Sequence, residues 1–323
     1  MGVAAGYRAC ARVTRAEATN FYYAFLSLPR AQRRSVYALY AFCREADNAV
    51  DEAASLAKLP AEEHADGALP ADGLPGHVDS EPDGGLLAER EVDTTEHVHA
   101  ALRGLRERLE SSAVGRPATL RDEALANTMA RYGVRPADLD DVICGMEMDC
   151  TVSRYASYDE LSLYCYRVAS AVGLATLPIL TDGAAPTKEM REHAVALGQG
   201  MQLVNILRDV AEDAARDRIY IPQDALRAFG VCESDIMEGR PSAEMQALLA
   251  SVAARARDEL ANGRRLIRAV PARSRGCLWL LAELYGRILS ALEKREFDVF
   301  SSRVSLPKYE KLLLLASTLW RRG

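Results

Sequence analysis

Apolar residues recur at three- and four-residue spacing through 31–57, 97–112, 120–132, 158–181, 187–215, 243–268 and 271–297, and alternating apolar/polar stretches are scarce. Residues at i, i+3, i+4 and i+7 share one face of a helix, so the pattern predicts an all-α chain. Pro29 stands where a helix from about residue 30 would begin, and Pro222 lies beyond a long helix expected to end near Arg216. Residues 65–85 interrupt the pattern: Pro and Gly recur, Asp66, Asp72, Asp79, Glu81 and Asp83 add charge, and no Lys or Arg balances them. Such a segment buries too little apolar surface to order itself and is expected to be a disordered insert between helices. Nothing else divides the 323 residues into comparable halves, which predicts one domain over 1–323.

Composition narrows the chemistry mainly by exclusion. Hydrophobic residues at 49% and charged residues at 27% describe an ordinary globular chain with a sizeable core. A net charge of −6 leaves no basic footprint for nucleic acid, so an anionic substrate would need locally placed cations. The seven cysteines are scattered and never spaced C-x-x-C, which fits a reducing cytoplasm better than a disulfide framework or a thiolate zinc site. No signal peptide or unbroken apolar run of membrane-spanning length is evident, and the protein is not expected to be integral to a membrane. The segment from Lys308 to Gly323 combines leucines and Trp320 with Lys308, Lys311, Arg321 and Arg322. It reads first as a last helix packed on the core and second as a peripheral contact with the inner face of a membrane. His97 and His99, two apart, point to different sides of a helix and are expected at the surface.

Two carboxylate pairs carry the candidate chemistry. Asp47 and Asp51 are four apart, as are Asp209 and Asp213, and Arg44 and Arg208 stand just upstream of each pair. Tyr40, Arg44, Asp47 and Asp51 run down one helix face, and Gln202, Asn205, Asp209 and Asp213 run down another. Each face is polar where a core stripe would be apolar. Two such clusters facing each other would repel unless hard cations lay between them, and magnesium commonly bridges carboxylates to substrate phosphates. Arg44, Arg208 and Arg218 could pair with diphosphate oxygens or, alternatively, with the acids beside them. No nucleotide-cradling glycine loop and no H-E-x-x-H is present.

On these residues the chain resembles the squalene/phytoene synthase family, from about Asn20 to Leu315. The matching segments are Asn20–Pro29 (NFYYAFLSLP), Tyr37–Glu52 (YALYAFCREADNAVDE), Gly145–Asp149 (GMEMD), Tyr164–Gly173 (YCYRVASAVG) and Gln202–Pro222 (QLVNILRDVAEDAARDRIYIP). The resemblance implies a single helical domain around a central cavity in which Asp47, Asp51, Asp209 and Asp213, assisted by Asn205, hold two or three Mg2+ ions. It implies that Tyr40, Arg44, Gln202, Arg208, Arg218, Tyr220, Tyr285 and Arg303 lie at or near the diphosphate site. Tyr164 would line the reaction centre, with Tyr40, Arg44 and Arg208 in the catalytic group, and Val168, Val172 and Gly173 would border the prenyl chains. Asn20, Phe21 and Phe25 complete the substrate-binding set. Asn48 departs from the pattern, since a third acid is frequent there, and the 65–85 insert is longer than the usual connection.

The implied reaction joins two prenyl diphosphates head to head. One diphosphate departs, the 2,3 double bond of the second molecule attacks the allylic cation, and proton loss closes a cyclopropane. A second ionisation opens that ring, giving squalene if NADPH supplies hydride and another C30 product such as dehydrosqualene otherwise. Phe21 and Phe25, four apart on one helix, would place bulky rings along the tunnel, and the Phe-Tyr-Tyr-Ala-Phe pattern resembles that of C30 synthases, which favours farnesyl over geranylgeranyl diphosphate unless Phe25 is plain core. Phytoene synthesis from two C20 units is the nearest alternative. A non-catalytic assembly-factor homologue is the alternative from another class.

Overall fold

The computed structural model describes residues 2–18, 21–56 and 84–320, and the side chains of all of these except 51–56, 84–94 and 319–320. The insert expected over 65–85 lies outside the described residues apart from Gly84 and Gly85, whose backbone opens a helix. In chain order the helices are α1 (Val3–Glu17), α2 (Phe21–Leu26), α3 (Arg30–Leu56), α4 (Gly84–Ala113), α5 (Leu120–Tyr132), α6 (Pro136–Thr151), α7 (Tyr158–Cys165) and α8 (Ala171–Leu180). There follow α9 (Lys188–Ala214), α10 (Gln223–Phe229), α11 (Glu233–Met237), α12 (Ala243–Gly263), α13 (Leu266–Ala269), α14 (Ala272–Lys294) and α15 (Lys308–Trp320). A π-helical turn, Tyr166–Ser170, joins α7 to α8. The chain is all-α: among the described residues no strand forms, and a single bridge pairs Arg154 with Ile219.

Helix starts follow local chemistry. The side chains of Thr119, Ser157, Thr187 and Ser242 accept hydrogen bonds from backbone amides at the starts of α5, α7, α9 and α12, satisfying donors that have no intrahelical partner. Pro136 opens α6, where its missing N–H costs nothing. The apolar periodicity located α3, α5, α9, α12 and α14 to within a few residues, but it placed the start of α4 at 97 where the helix begins at Gly84, and it did not mark α1 or α6. Helix α1 packs through Gly6, Tyr7, Cys10 and Thr14, and α6 through a set that includes Asp138 and Gly145. In α6 the buried Asp138 and Gly145 weaken the contrast that periodicity detects, whereas α1 is strongly amphipathic and went unassigned.

The two polar-faced helices sit at the centre. Helix α9 packs on α12, α8, α14 and the π turn, while α3 packs on α1, α4, α5, α6 and α8. The continuous run Tyr158–Leu180 has the length and a mean hydropathy of 1.4 that would suit a membrane span, although over half of it is buried within the fold. Its apolarity therefore has a cause inside the protein: Leu174, Leu177, Ile179 and Leu180 are core residues. Two glycines let the backbones around the π turn meet. A Cβ on Gly198 of α9 would lie 2.6 Å from Ser170 Cα, and one on Gly145 of α6 would lie 2.8 Å from Val168 Cγ1. Ser170 Oγ donates to the Val195 carbonyl at 2.8 Å and fixes the turn on α9.

Candidate active site

The two polar faces predicted from sequence line one cavity of about 680 Å³. Tyr40, Arg44 and Asp47 reach it from α3, and Gln202, Asn205, Arg208, Asp209 and Asp213 reach it from α9. The lining of α9 runs from Ala194 to Asp213, about 28 Å at the roughly 1.5 Å rise per residue of a helix. It changes along that length from apolar (Ala194, Leu197, Met201) to carboxylate. Helix α8 supplies Val172, Gly173, Thr176 and Leu180 opposite the apolar part, and the π turn supplies Val168. The result is a channel with a charged end and an oily end, the shape of an amphipathic substrate with an anionic head.

Arginines hold the carboxylates at the charged end. Arg44 donates to Glu17 at 2.6 Å and also pairs with Asp47. Asp209 accepts from Arg208 at 2.7 and 2.5 Å and from Arg303, in the segment before α15, at 2.8 and 3.1 Å. Burial alone would raise the Asp209 carboxyl, but these two guanidinium groups hold it below the usual carboxylate range. Asp213 lacks comparable compensation, and burial followed by the charge of Asp209 pushes it up to about 7. A carboxyl driven that high by desolvation and a neighbouring anion is one that a bound cation would stabilise. Among the described residues no three acids, histidines or cysteines stand close enough together to enclose a metal by themselves. The donor set nonetheless suits magnesium, which keeps waters and takes substrate phosphate oxygens to complete its shell.

Below the carboxylates lies an aromatic cluster. Phe21 and Phe25 stack at 6.0 Å; Phe25 meets Tyr37 and Tyr40 edge-on at 6.1 and 6.3 Å, and Phe21 approaches Tyr285 at 6.4 Å. These rings close the cavity wall between α2, α3 and α14. Burial raises the Tyr40 phenol to about 12, so it is a neutral donor there. Asn205 donates to Gln202 Oε1 at 3.2 Å, keeping the α9 amides in register.

On the opposite wall, Asp149 at the end of α6 accepts from the Tyr220 hydroxyl at 3.1 Å and the Tyr164 hydroxyl at 3.3 Å. Arg218 donates to its main-chain carbonyl at 2.8 Å. The rings of Tyr155, Tyr164 and Tyr220 stack with centroids 5.0–5.8 Å apart. Burial, opposed by Arg218, pushes the Asp149 carboxyl up to about 6.

A family model described as squalene/phytoene synthase matches residues 14–310. The chain belongs to that family. Among curated relatives it is similar to the phytoene synthase of Arthrospira platensis, 32% identical over 96% of this chain and 91% of that protein. It is likewise similar to the 15-cis-phytoene synthase of Synechococcus elongatus, 32% identical over 98% and 92%. The chain spans 65% of the length of a chloroplastic maize phytoene synthase to which it is 33% identical. Among solved structures it resembles a dehydrosqualene synthase bound to a ligand, with a TM-score of 0.79, 26% identity and 99% and 97% of the two chains covered. A squalene synthase from Alicyclobacillus acidocaldarius follows with a TM-score of 0.72 and 25% identity, covering 91% and 95%.

Of the residues assigned from the family pattern, Phe21, Phe25, Tyr40, Arg44, Asp47, Tyr164, Val168, Val172, Gly173, Gln202, Asn205, Arg208, Asp209, Asp213, Arg218, Tyr220, Tyr285 and Arg303 all line this one cavity. Asn20 and the side chain of Asp51 lie outside the described residues, although Asp51 falls on α3. Glu17, Asp149 and Lys311 also line the cavity and had not been selected. Asp149 stood in the GMEMD segment that carried the resemblance; its place among the site carboxylates depends on how α6 packs, which no local pattern encodes.

Proposed function

We propose that this protein is a Mg2+-dependent prenyltransferase that joins two farnesyl diphosphates head to head, through a cyclopropyl intermediate, to a C30 product. The observation that carries the reading is the single cavity into which carboxylates and arginines of α3 and α9 project above a long apolar chamber. Asp47, Asp51, Asp209 and Asp213 with Asn205 would hold magnesium, which supplies neutralisation of the departing diphosphate. Arg44, Arg208, Arg218 and Arg303 bind the phosphate oxygens left uncoordinated, Arg303 and Arg208 turning from Asp209 as diphosphate enters. The apolar walls from α8, α9 and α14 exclude water from the allylic cation and hold two chains side by side. Tyr164 and Tyr220 present hydroxyls and ring faces where positive charge develops.

The Phe21–Phe25 stack supports the shorter C15 substrate, because it fills the wall where a longer chain would extend. Similarity to cyanobacterial phytoene synthases at 32% identity favours a second reading, condensation of two geranylgeranyl diphosphates. The deciding experiment incubates the purified protein with Mg2+ and each diphosphate, with and without NADPH, and resolves the products by mass. A C30 product from farnesyl diphosphate upholds the first reading, and the NADPH arms identify the end product. A C40 product alone upholds the second, and no product from either returns weight to a non-catalytic role. The outer face of α15 exposes Tyr309, Leu312 and Leu313 beside Lys308, which supports a peripheral lipid contact for release of a hydrocarbon, measurable by vesicle flotation.

A further inference from the structure

Closing a cyclopropane requires a base, and the cavity contains few groups able to serve. No histidine is among its described lining residues, and its only lysine is Lys311. Asp47 and Asp209 are engaged by arginines at the charged end, where diphosphate and metal belong. Tyr164 lines the cavity, but burial and the Asp149 charge raise its phenol well above the ordinary range, so a standing phenolate is inaccessible. Its hydroxyl can accept a proton only while passing its own to something else.

The structure offers one acceptor for that proton. Tyr164 Oη lies 3.3 Å from Asp149 Oδ2 and 3.3 Å from Tyr220 Oη, and Tyr220 Oη lies 3.1 Å from Asp149 Oδ1. The three side chains close a ring of contacts on the cavity wall through two hydroxyls and both carboxylate oxygens of Asp149. Tyr155 packs against both rings, tilted on Tyr164 at 5.4 Å and stacked on Tyr220 at 5.8 Å. The Arg218 bond to the Asp149 carbonyl holds the end of α6 in place.

We propose that Asp149 is the terminal proton acceptor of ring closure, reached through the Tyr164 hydroxyl; this rests on the head-to-head reading above. After C1 of the ionised chain has bonded to C2 of its partner, the partner's C3 is electron-deficient. The C1–H electron pair forms the C1–C3 bond and closes the ring. The released proton passes to Tyr164 Oη as the Tyr164 proton passes to Asp149 Oδ2, leaving a neutral cyclopropane and a neutral carboxylic acid. Tyr220 keeps its hydrogen bond to Oδ1 throughout and orients the carboxyl. A carboxyl whose proton affinity lies near neutrality through burial suits this role.

The test compares wild type with Asp149→Asn, Asp149→Glu and Tyr220→Phe, using farnesyl and geranylgeranyl diphosphates that carry either hydrogen or deuterium at C1. Asp149→Asn keeps the shape and is expected to lower kcat by about 10²–10⁴-fold, the usual worth of a positioned base, with KM little changed. Proton loss then becomes the slow step, and a primary isotope effect on single-turnover formation of the cyclopropyl diphosphate appears or grows. Asp149→Glu recovers part of the rate; Tyr220→Phe costs less than Asp149→Asn. An Asp149→Asn protein within about threefold of wild type, or one that slows with no change in isotope effect, overturns the assignment while leaving the overall reaction standing. Wild-type protein that consumes neither diphosphate overturns both.

Discussion

Replacing Phe25 with alanine deletes six ring carbons from the wall between α2 and α3, whereas geranylgeranyl diphosphate exceeds farnesyl diphosphate by five carbons per chain. The space released therefore approximates one isoprene unit. Phe25 is 6% exposed and touches Phe21, Tyr37 and Tyr40, so its loss costs stability. Phe→Ala changes in cores cost about 3–5 kcal/mol, and the lower end applies because the vacated space opens onto an existing cavity instead of a sealed void. A longer chain that enters this space regains about 0.8 kcal/mol per buried carbon, at most about 4 kcal/mol for five carbons. With half to all of that realised, the ratio of kcat/KM for the C20 over the C15 substrate should rise by about 30- to 1,000-fold. The assay is competition between the two diphosphates with mass-resolved C30 and C40 products, after far-UV circular dichroism has established that the variant is folded. A ratio that stays within about threefold of wild type would mean that the ring does not limit chain length and that Phe25 is ordinary core.

Asp47→Ala and Asp209→Ala should each abolish turnover while leaving the helical circular dichroism intact; substantial residual activity in both sinks their assignment as metal ligands. Asp149 and Asp213 titrate higher in the fold than in the unfolded chain, so the folded state binds more protons between about pH 4 and 7 and their contribution to stability falls as pH rises through that window. Metal-free protein should accordingly show a Tm that declines from pH 5 to 8, an effect that Mg2+ with inorganic diphosphate reverses; a Tm that climbs across that range contradicts the burial of these carboxyls. Gly198→Ala would place a methyl 2.6–2.7 Å from the Ser170 backbone, forcing the π turn away from α9. The expected cost is at least about 1–3 kcal/mol, read as a lower Tm together with lost activity, and an unchanged Tm refutes the close packing.

Much of the all-α architecture was legible because long amphipathic helices repeat an apolar period, and α3, α5, α9, α12 and α14 follow it, whereas α8 is apolar on every side. The two carboxylate pairs were legible for the same reason: Asp47 and Asp209 interrupt that period with polar groups on the face that a core would claim. Spacing within a helix is a local property, so the chain by itself determined which residues share a face, and the family segments identified what such faces hold. Tertiary packing decided that the two faces look into one cavity, that Arg303 reaches back to Asp209 across 94 residues of chain, and that α6 delivers Asp149 to Tyr164 and Tyr220. Helix α6 is held by buried Leu139, Val142, Ile143 and Met146 and by the close approach of Gly145 to Val168, contacts that exist only once the helices have packed. Charge shifts belong in part to the same level: Asp209 is lowered by its chain neighbour Arg208 and also by Arg303 from far along the chain, while burial raises Asp213. Desolvation and through-space charge depend on neighbours from distant parts of the chain, and those neighbours exist only once the helices have packed.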